Sequence, residues 1–281
     1  MTTAPIDSRT ITRDPWSQIG QLDDATVAAL AERIEIRASD PRQHQLWAQF
    51  LARAELPPGS RVLEVGSGTG VITEMIADLE GVEEVVGIDP APELVRRARQ
   101  RRPDLAFDVG DGRALPYPDA EFDAVVFATT LCHVPDPGRA LSEARRVLRP
   151  GGSLLVYEGD YNTATVGLGP QDPLQACVAA GVARMVNDPW IVRRLASLVE
   201  GAGFEVGELR SHGYVEVSAT YVPTLVSAGV DALTDSGTIT DALADALQRE
   251  AKDRAAVGRF FGHVAYASLV ATRPRSEREA R

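Results

Sequence analysis

The hydrophobic pattern changes character near residue 60. Before that point Val27, Leu30 and Ile34 recur at helical spacing behind the capping candidates Asp23 and Asp24, so a helix is predicted over residues 23–38. A second helix is predicted over 41–54 and is stopped by Pro57-Pro58-Gly59. From Arg61 onward, short apolar runs alternate with amphipathic stretches. The runs predict strands at 62–65, 85–88, 107–109, 123–128 and 153–157, with two more at 204–209 and 263–272. Helices are predicted between them at 71–79 and 92–101, after Asp136-Pro137, and at 191–200 after Asp188-Pro189. Each Asp-Pro pair supplies a cap and a proline suited to the first helical position.

Strands alternating with helices predict an α/β, Rossmann-like, mainly parallel sheet covered on both faces. Residues 221–261 read as helical and interrupt the last pair of strands, so they are expected to form an inserted cap. The expected division is an N-terminal helical lid over 1–59, a ligand-binding core over 60–220, the cap over 221–261 and a terminal core strand over 262–273. The charged stretch 274–281 is expected to be a disordered tail.

Composition narrows the classes. The chain has 281 residues, 40 acidic against 29 basic, and a net charge of −11, which disfavours nucleic acid as the main partner. Its only lysine is Lys252 and its other basic residues are arginines, a bias expected of a high-GC bacterial source. Cys132 and Cys177 form neither a disulfide framework nor a metal-ligand spacing, so no metal site is expected. Residues 1–16 contain no apolar signal region, and no run approaches the roughly 20 apolar residues needed to cross a bilayer. No membrane role is expected, and the cytoplasm is the expected compartment.

The chemistry concentrates between the first strand and its helix, in Glu64-Val65-Gly66-Ser67-Gly68-Thr69-Gly70. Glycines there let the backbone approach a ligand closely. Val71 stands where a dinucleotide fingerprint requires its third glycine, which argues against a nicotinamide dehydrogenase. Asp89 ends the second strand, placed to accept hydrogen bonds from ribose hydroxyls. Asp111, past the third strand, is placed to accept from an exocyclic adenine amine. Plainer roles stand beside these: a strand-to-helix turn for the glycines, a helix cap for Asp89 and a turn for Asp111.

The ordered series EVGSGTG (64–70), GIDP (87–90), GDGRALPYPDAEFD (110–123), FATTLCHVPDP (127–137) and ARRVLRPGG (144–152) resembles the class I S-adenosylmethionine-dependent methyltransferases. It is similar in particular to the ubiquinone/menaquinone-type or "type 11" branch, which also supplies natural-product methyltransferases. The resemblance is close over residues 61–152 and looser beyond. It implies a seven-stranded sheet with an antiparallel last strand and S-adenosyl-L-methionine, later S-adenosyl-L-homocysteine, over the strand ends. The methionine part would meet the loop 66–70 with Gly66, Ser67, Gly68 and Gly70, the ribose Asp89, and the adenine Asp111 and Gly112, with Glu64 and Pro90 also among the cofactor-binding residues. Ala128 and Thr129 would face the sulfonium.

Methyl transfer from a sulfonium is an in-line displacement in which positioning supplies much of the rate. A hydroxyl acceptor also needs a base, and His133 is the first candidate, followed by His263, Tyr157 and Asp160. A structural or cofactor-contact role for His133 is the competing expectation. Cys132 is expected to be buried and inert, and His212 to be an exposed structural residue at a strand end.

The expected activity is O- or N-methylation of a small molecule, of the kind found in specialised metabolism. The alternatives are quinone C-methylation and a cofactor-binding relative that has lost transfer. Macromolecular acceptors are disfavoured, because Ala128-Thr129-Thr130-Leu131 replaces the Asn/Asp-Pro-Pro-Tyr of exocyclic-amine DNA methyltransferases. The cap is expected to be a lid or, alternatively, the surface of a homodimer.

Overall fold

The computed structural model describes residues 14–217 and 220–275. Most of the predicted tail therefore lies outside the described residues, as does nearly all of the segment read for a signal region. Seven strands form one sheet among these residues: β1 Ser60–Val65, β2 Val82–Asp89, β3 Ala106–Val109, β4 Phe122–Ala128, β5 Leu148–Thr165, β6 Glu205–Glu216 and β7 Gly262–Thr272. Their order is β3-β2-β1-β4-β5-β7-β6. All pairings among β1 to β5 are parallel, whereas β7 runs antiparallel to both β5 and β6. The expected antiparallel last strand is present, inserted between β5 and β6.

The sheet centre is apolar because it is covered on both faces. Leu63, Val125 and Leu154 on three adjacent strands are all fully buried. Helices α1 Asp24–Ala38, α2 Pro41–Leu51, α3 Val71–Ala77, α4 Pro92–Arg101, α5 Pro137–Val147 and α7 Leu195–Gly201 flank it, with α1 packed on α4 and α5 on α7. Several begin where their caps dictate. Asp23, Asp40 and Asp136 each accept a hydrogen bond from a backbone N–H of the first turn, satisfying a donor that the helix itself leaves open.

Three features differ from the expectations. Strand β5 continues past Tyr157 to Thr165, and β6 past Leu209 to Glu216. Buried Glu158 and half-buried Asp160 interrupt the apolar pattern of the first, while β6 is a largely exposed edge strand with no pattern to read. His212 consequently lies inside β6, half-buried, with Nε2 2.7 Å from Ser268 Oγ rather than exposed at a strand end. Third, a helix, α6 Pro173–Met185, occupies a region where the chain pattern predicted none.

Helix α6 packs against α8 Val222–Asp235, and α9 Asp241–Ala256 packs on α8 in turn. The α6–α8 contact depends on two glycines. A Cβ at Gly181 would lie 2.0 Å from the Leu225 carbonyl oxygen, and one at Gly229 would lie 1.6 Å from that of Cys177. Helices α6, α8 and α9 thus form one packed group drawn from two separate stretches of chain, 173–185 and 222–256.

Candidate active site

A cavity of about 470 Å³ opens at the carboxyl ends of β1 to β5, where ligands bind in open α/β sheets. Its floor is the loop after β1. Gly66 has φ +78°, and a Cβ there would meet Thr130 Cγ2 at 2.4 Å. Gly68 has φ +53° and donates its N–H to Asp89 Oδ2 at 2.9 Å. Ser67 Oγ is buried without a hydrogen-bond partner among the described residues, and Ser67 lines the cavity. A buried orphan hydroxyl beside closely approaching backbone is what a polar ligand would satisfy.

Every residue nominated for the cofactor lines this cavity except Gly70: Glu64, Gly66, Ser67, Gly68, Asp89, Pro90, Asp111, Gly112, Ala128 and Thr129. Gly70 instead packs against Phe107 and Ala98 and serves the turn into α3, with φ +82°. Asp89 accepts a second hydrogen bond, from the Ala91 N–H at 2.9 Å, so it also braces the start of α4. Burial pushes its carboxyl up to about 6, against those two amide bonds. Burial likewise pushes Glu64 up to about 8, although its carboxylate accepts from the Thr73 hydroxyl. Asp111 is more open. It pairs with Arg113, whose Nη2 lies 2.7 Å away, and Arg113 holds the carboxyl below its ordinary range.

The loop after β4 carries the opposite wall. Thr129 adopts φ +54°, uncommon for a β-branched residue and costly unless its surroundings enforce it. They do so here. Its N–H donates to the Tyr157 carbonyl at 2.6 Å, and its Oγ1 accepts from Arg37 Nη2 at 2.6 Å. Fully buried Glu158 accepts from the N–H groups of Thr130 and Leu131 at 2.8 and 2.6 Å, anchoring the next two residues. Burial raises the Glu158 carboxyl, with His133 among the influences opposing it.

His133 lines the cavity, and its Nδ1 lies 2.9 Å from Asp14 Oδ2. Asp14 is itself buried and accepts from the N–H groups of Trp16 and Asn187, both at 3.0 Å. Its segment continues as a short 3-10 helix, Pro15–Gln21, all but the first residue of which line the cavity. Gly20 there is tight against Pro90, where a Cβ would stand 2.8 Å from the carbonyl oxygen. The remaining base candidates lie elsewhere. Tyr157, Asp160 and His263 do not line the cavity; Tyr157 stacks on Tyr266 at 5.1 Å, and Asp160 pairs with Arg193. Cys132 is fully buried, and burial raises its thiol well above the usual range, so no thiolate is at hand.

Comparison with known proteins accords with this geometry. Residues 63–156 match the family model "Methyltransferase domain". A Mycolicibacterium smegmatis protein named "probable S-adenosylmethionine-dependent methyltransferase" is 34% identical over 193 residues, covering 67% of this chain and 70% of the relative. The chain belongs to the S-adenosylmethionine-dependent methyltransferase family. The Renibacterium salmoninarum demethylmenaquinone methyltransferase is 43% identical over 106 residues, 38% of this chain and 44% of that protein. The chain spans about half the length of the first curated relatives it matches. The solved [4+2]-cyclase SpnF is similar in fold, with TM-score 0.59, 24% identity, and 94% of this chain and 99% of that one covered.

The chain pattern does not point to cavity residues Trp16, Arg33, Arg37, Tyr161 and Tyr221, nor to Asp14, which stands behind His133. For Asp14 a signal existed, since Asp14-Pro15 is the same cap-plus-proline pair that was read at 136 and 188. Arg33 and Arg37 stand four apart on one face of α1, next to its apolar stripe.

Proposed function

We propose that this protein transfers a methyl group from S-adenosyl-L-methionine to a small-molecule acceptor at oxygen or nitrogen, and that His133 is its base. The observation that carries the reading is one cavity joining the glycine loop, Asp89 and Asp111 to a histidine buttressed by a buried aspartate. The donor supplies an electrophilic methyl group on a sulfonium. Gly66, Ser67 and Gly68 hold its amino-acid end, Asp89 and Pro90 the ribose, Asp111 and Gly112 the adenine, with Glu64, Ala128 and Thr129 completing the contacts.

Asp14 fixes the imidazole by accepting at Nδ1, which orients the ring and favours the tautomer with Nε2 free to accept a proton. A hydroxyl acceptor would deliver that proton as its oxygen attacks the methyl carbon, whereas an ammonium would give it up first to free the nitrogen lone pair; in either case the carbon–sulfur bond breaks and S-adenosylhomocysteine leaves. Trp16, with its ring centroid 5.9 Å from that of His133, and the rest of the 3-10 segment cover the reacting groups from water. The cap contributes Met185, Tyr221 and Leu225 to the same cavity, a mostly apolar surround suited to a small organic acceptor rather than a polymer.

Methyl-labelled S-adenosylmethionine incubated with the protein and a small-molecule extract of its source organism tests the proposal. Label in an alkali-stable ether or amine product supports it. Label on a quinone ring carbon supports quinone C-methylation instead, and label in protein or RNA removes the small-molecule reading. Tight S-adenosylhomocysteine binding without label in any fraction assigns the chain to the non-transferring relatives.

A further inference from the structure

Along the sheet, the elements nominated for the donor run from β3 through β2 and β1 to β4. Beyond β4 the cavity is lined by Tyr161 of β5, Tyr221 at the entrance to α8, and Trp47 of α2. Among these stands Arg37. Its guanidinium carbon lies 5.3 Å from the Trp47 ring centroid and 5.8 Å from that of Tyr221, which holds the side chain in place from two directions. The side chain's single hydrogen bond among the described residues is to Thr129 Oγ1, and its Nε is buried with no partner. No carboxylate among the described residues pairs with it. Burial raises the nearby phenols of Tyr161 and Tyr266 well above their usual range, so they stay neutral and supply no countercharge. Arg33, one turn earlier and also lining the cavity, donates to the Thr224 carbonyl and likewise forms no ion pair among those residues.

A sequestered guanidinium without an anion is costly, and a protein of net charge −11 has carboxylates in abundance with which to pair it. Other arginines here are so paired, including Arg61, Arg101, Arg146 and Arg254. We infer that Arg37, assisted by Arg33, binds an anionic oxygen group on the methyl acceptor, and that a carboxylate on an apolar or aromatic skeleton is the class this end of the cavity takes. The guanidinium fork matches a carboxylate, while the Trp47, Tyr161 and Tyr221 rings receive the skeleton. The contact of Arg37 with Thr129, beside the expected sulfonium, brings the anchored acceptor next to the transferred methyl group. The inference rests on the methyltransferase reading above.

The test uses the full chain saturated with S-adenosylhomocysteine and three acid–amide pairs: benzoate and benzamide, 1-hydroxy-2-naphthoate and its amide, decanoate and decanamide. Calorimetry should show at least one acid binding tenfold or more tighter than its amide. In Arg37→Gln that preference should vanish while amide affinity is kept, and Arg37→Lys should restore part of it. Equal binding of acid and amide, failure of every acid to bind, or an acid preference that survives Arg37→Gln would each overturn the inference. If Arg37→Gln instead weakens S-adenosylhomocysteine tenfold or more but spares 5′-methylthioadenosine, which lacks the carboxylate, the guanidinium serves the donor and the acceptor assignment is wrong. Wild-type protein that fails to bind S-adenosylhomocysteine at all would remove the methyltransferase reading itself, a result distinct from each of these.

Discussion

Asp14 Oδ2 and His133 Nδ1 lie 2.9 Å apart although 119 residues separate them in the chain. A buried aspartate at that nitrogen restricts the imidazole to one orientation, in a histidine that lines the cavity. Asp14→Asn keeps the shape but removes the charge and alters the tautomer preference. General-base contributions are about 10²–10⁴-fold, so label transfer should slow by roughly 10–100-fold when the base is misdirected rather than removed. Affinity for S-adenosylhomocysteine should hardly change. His133→Ala should slow transfer further, and normal rates in both variants would refute the base assignment.

Asp89 accepts from the Gly68 and Ala91 N–H groups while lining the cavity. Asp89→Ala should therefore weaken S-adenosylhomocysteine severely. Loss of the two bonds that the ribose hydroxyls would donate to this carboxylate, about 1.5–3 kcal/mol each, corresponds to roughly 100-fold or more in the dissociation constant. The melting temperature should also fall, because the glycine loop loses its brace. Calorimetric affinity equal to wild type would sink the ribose assignment.

Glu64 carries a pH signature. Burial holds its carboxyl at about 8 in the folded protein, against an ordinary 4.5, so the folded state keeps a proton that the unfolded state releases across that window. Its contribution to stability thus worsens as pH rises from about 4.5 to 8 and stays unfavourable above, on the order of a few kcal/mol. Glu64→Gln, which mimics the protonated form, should become progressively more stable than wild type as pH climbs from 5 to 8 in urea melts and keep that advantage above. A stability difference that does not vary with pH would show that the buried carboxyl titrates normally.

Gly66 faces Thr130 across the cavity floor, where a Cβ would come within 2.4 Å of Cγ2 at a φ of +78°. Gly66→Ala should cost about 1–3 kcal/mol from backbone strain, with the collision adding to it. It should abolish detectable S-adenosylhomocysteine binding. Replacing Thr130 by Gly in the same chain should recover part of the stability but not the strain, a split that denaturant titration of both variants would resolve.

The glycine loop, Asp89, Asp111 and the order of strands and helices from 61 to 152 were legible because each depends on short-range spacing. A strand must end, the chain must turn with positive φ, and the next helix must start, all within a few residues. The same locality hid the rest. Arg37 and Trp47 are far in the chain from Tyr161 and Tyr221, and no pattern along it states that the fold brings them to one cavity wall. Glu158 reads as an interruption of a strand until its hydrogen bonds to the Thr130 and Leu131 amides are seen. Helix α6 went unread because its partner, α8, is distant in sequence, and Gly181 and Gly229 look like helix breakers until the two backbones are found in contact through them. Local propensity and periodicity decide the sheet and the glycine loop, whereas burial shared between distant segments decides that His133 meets Asp14 and that Arg37 stands among Trp47 and Tyr221.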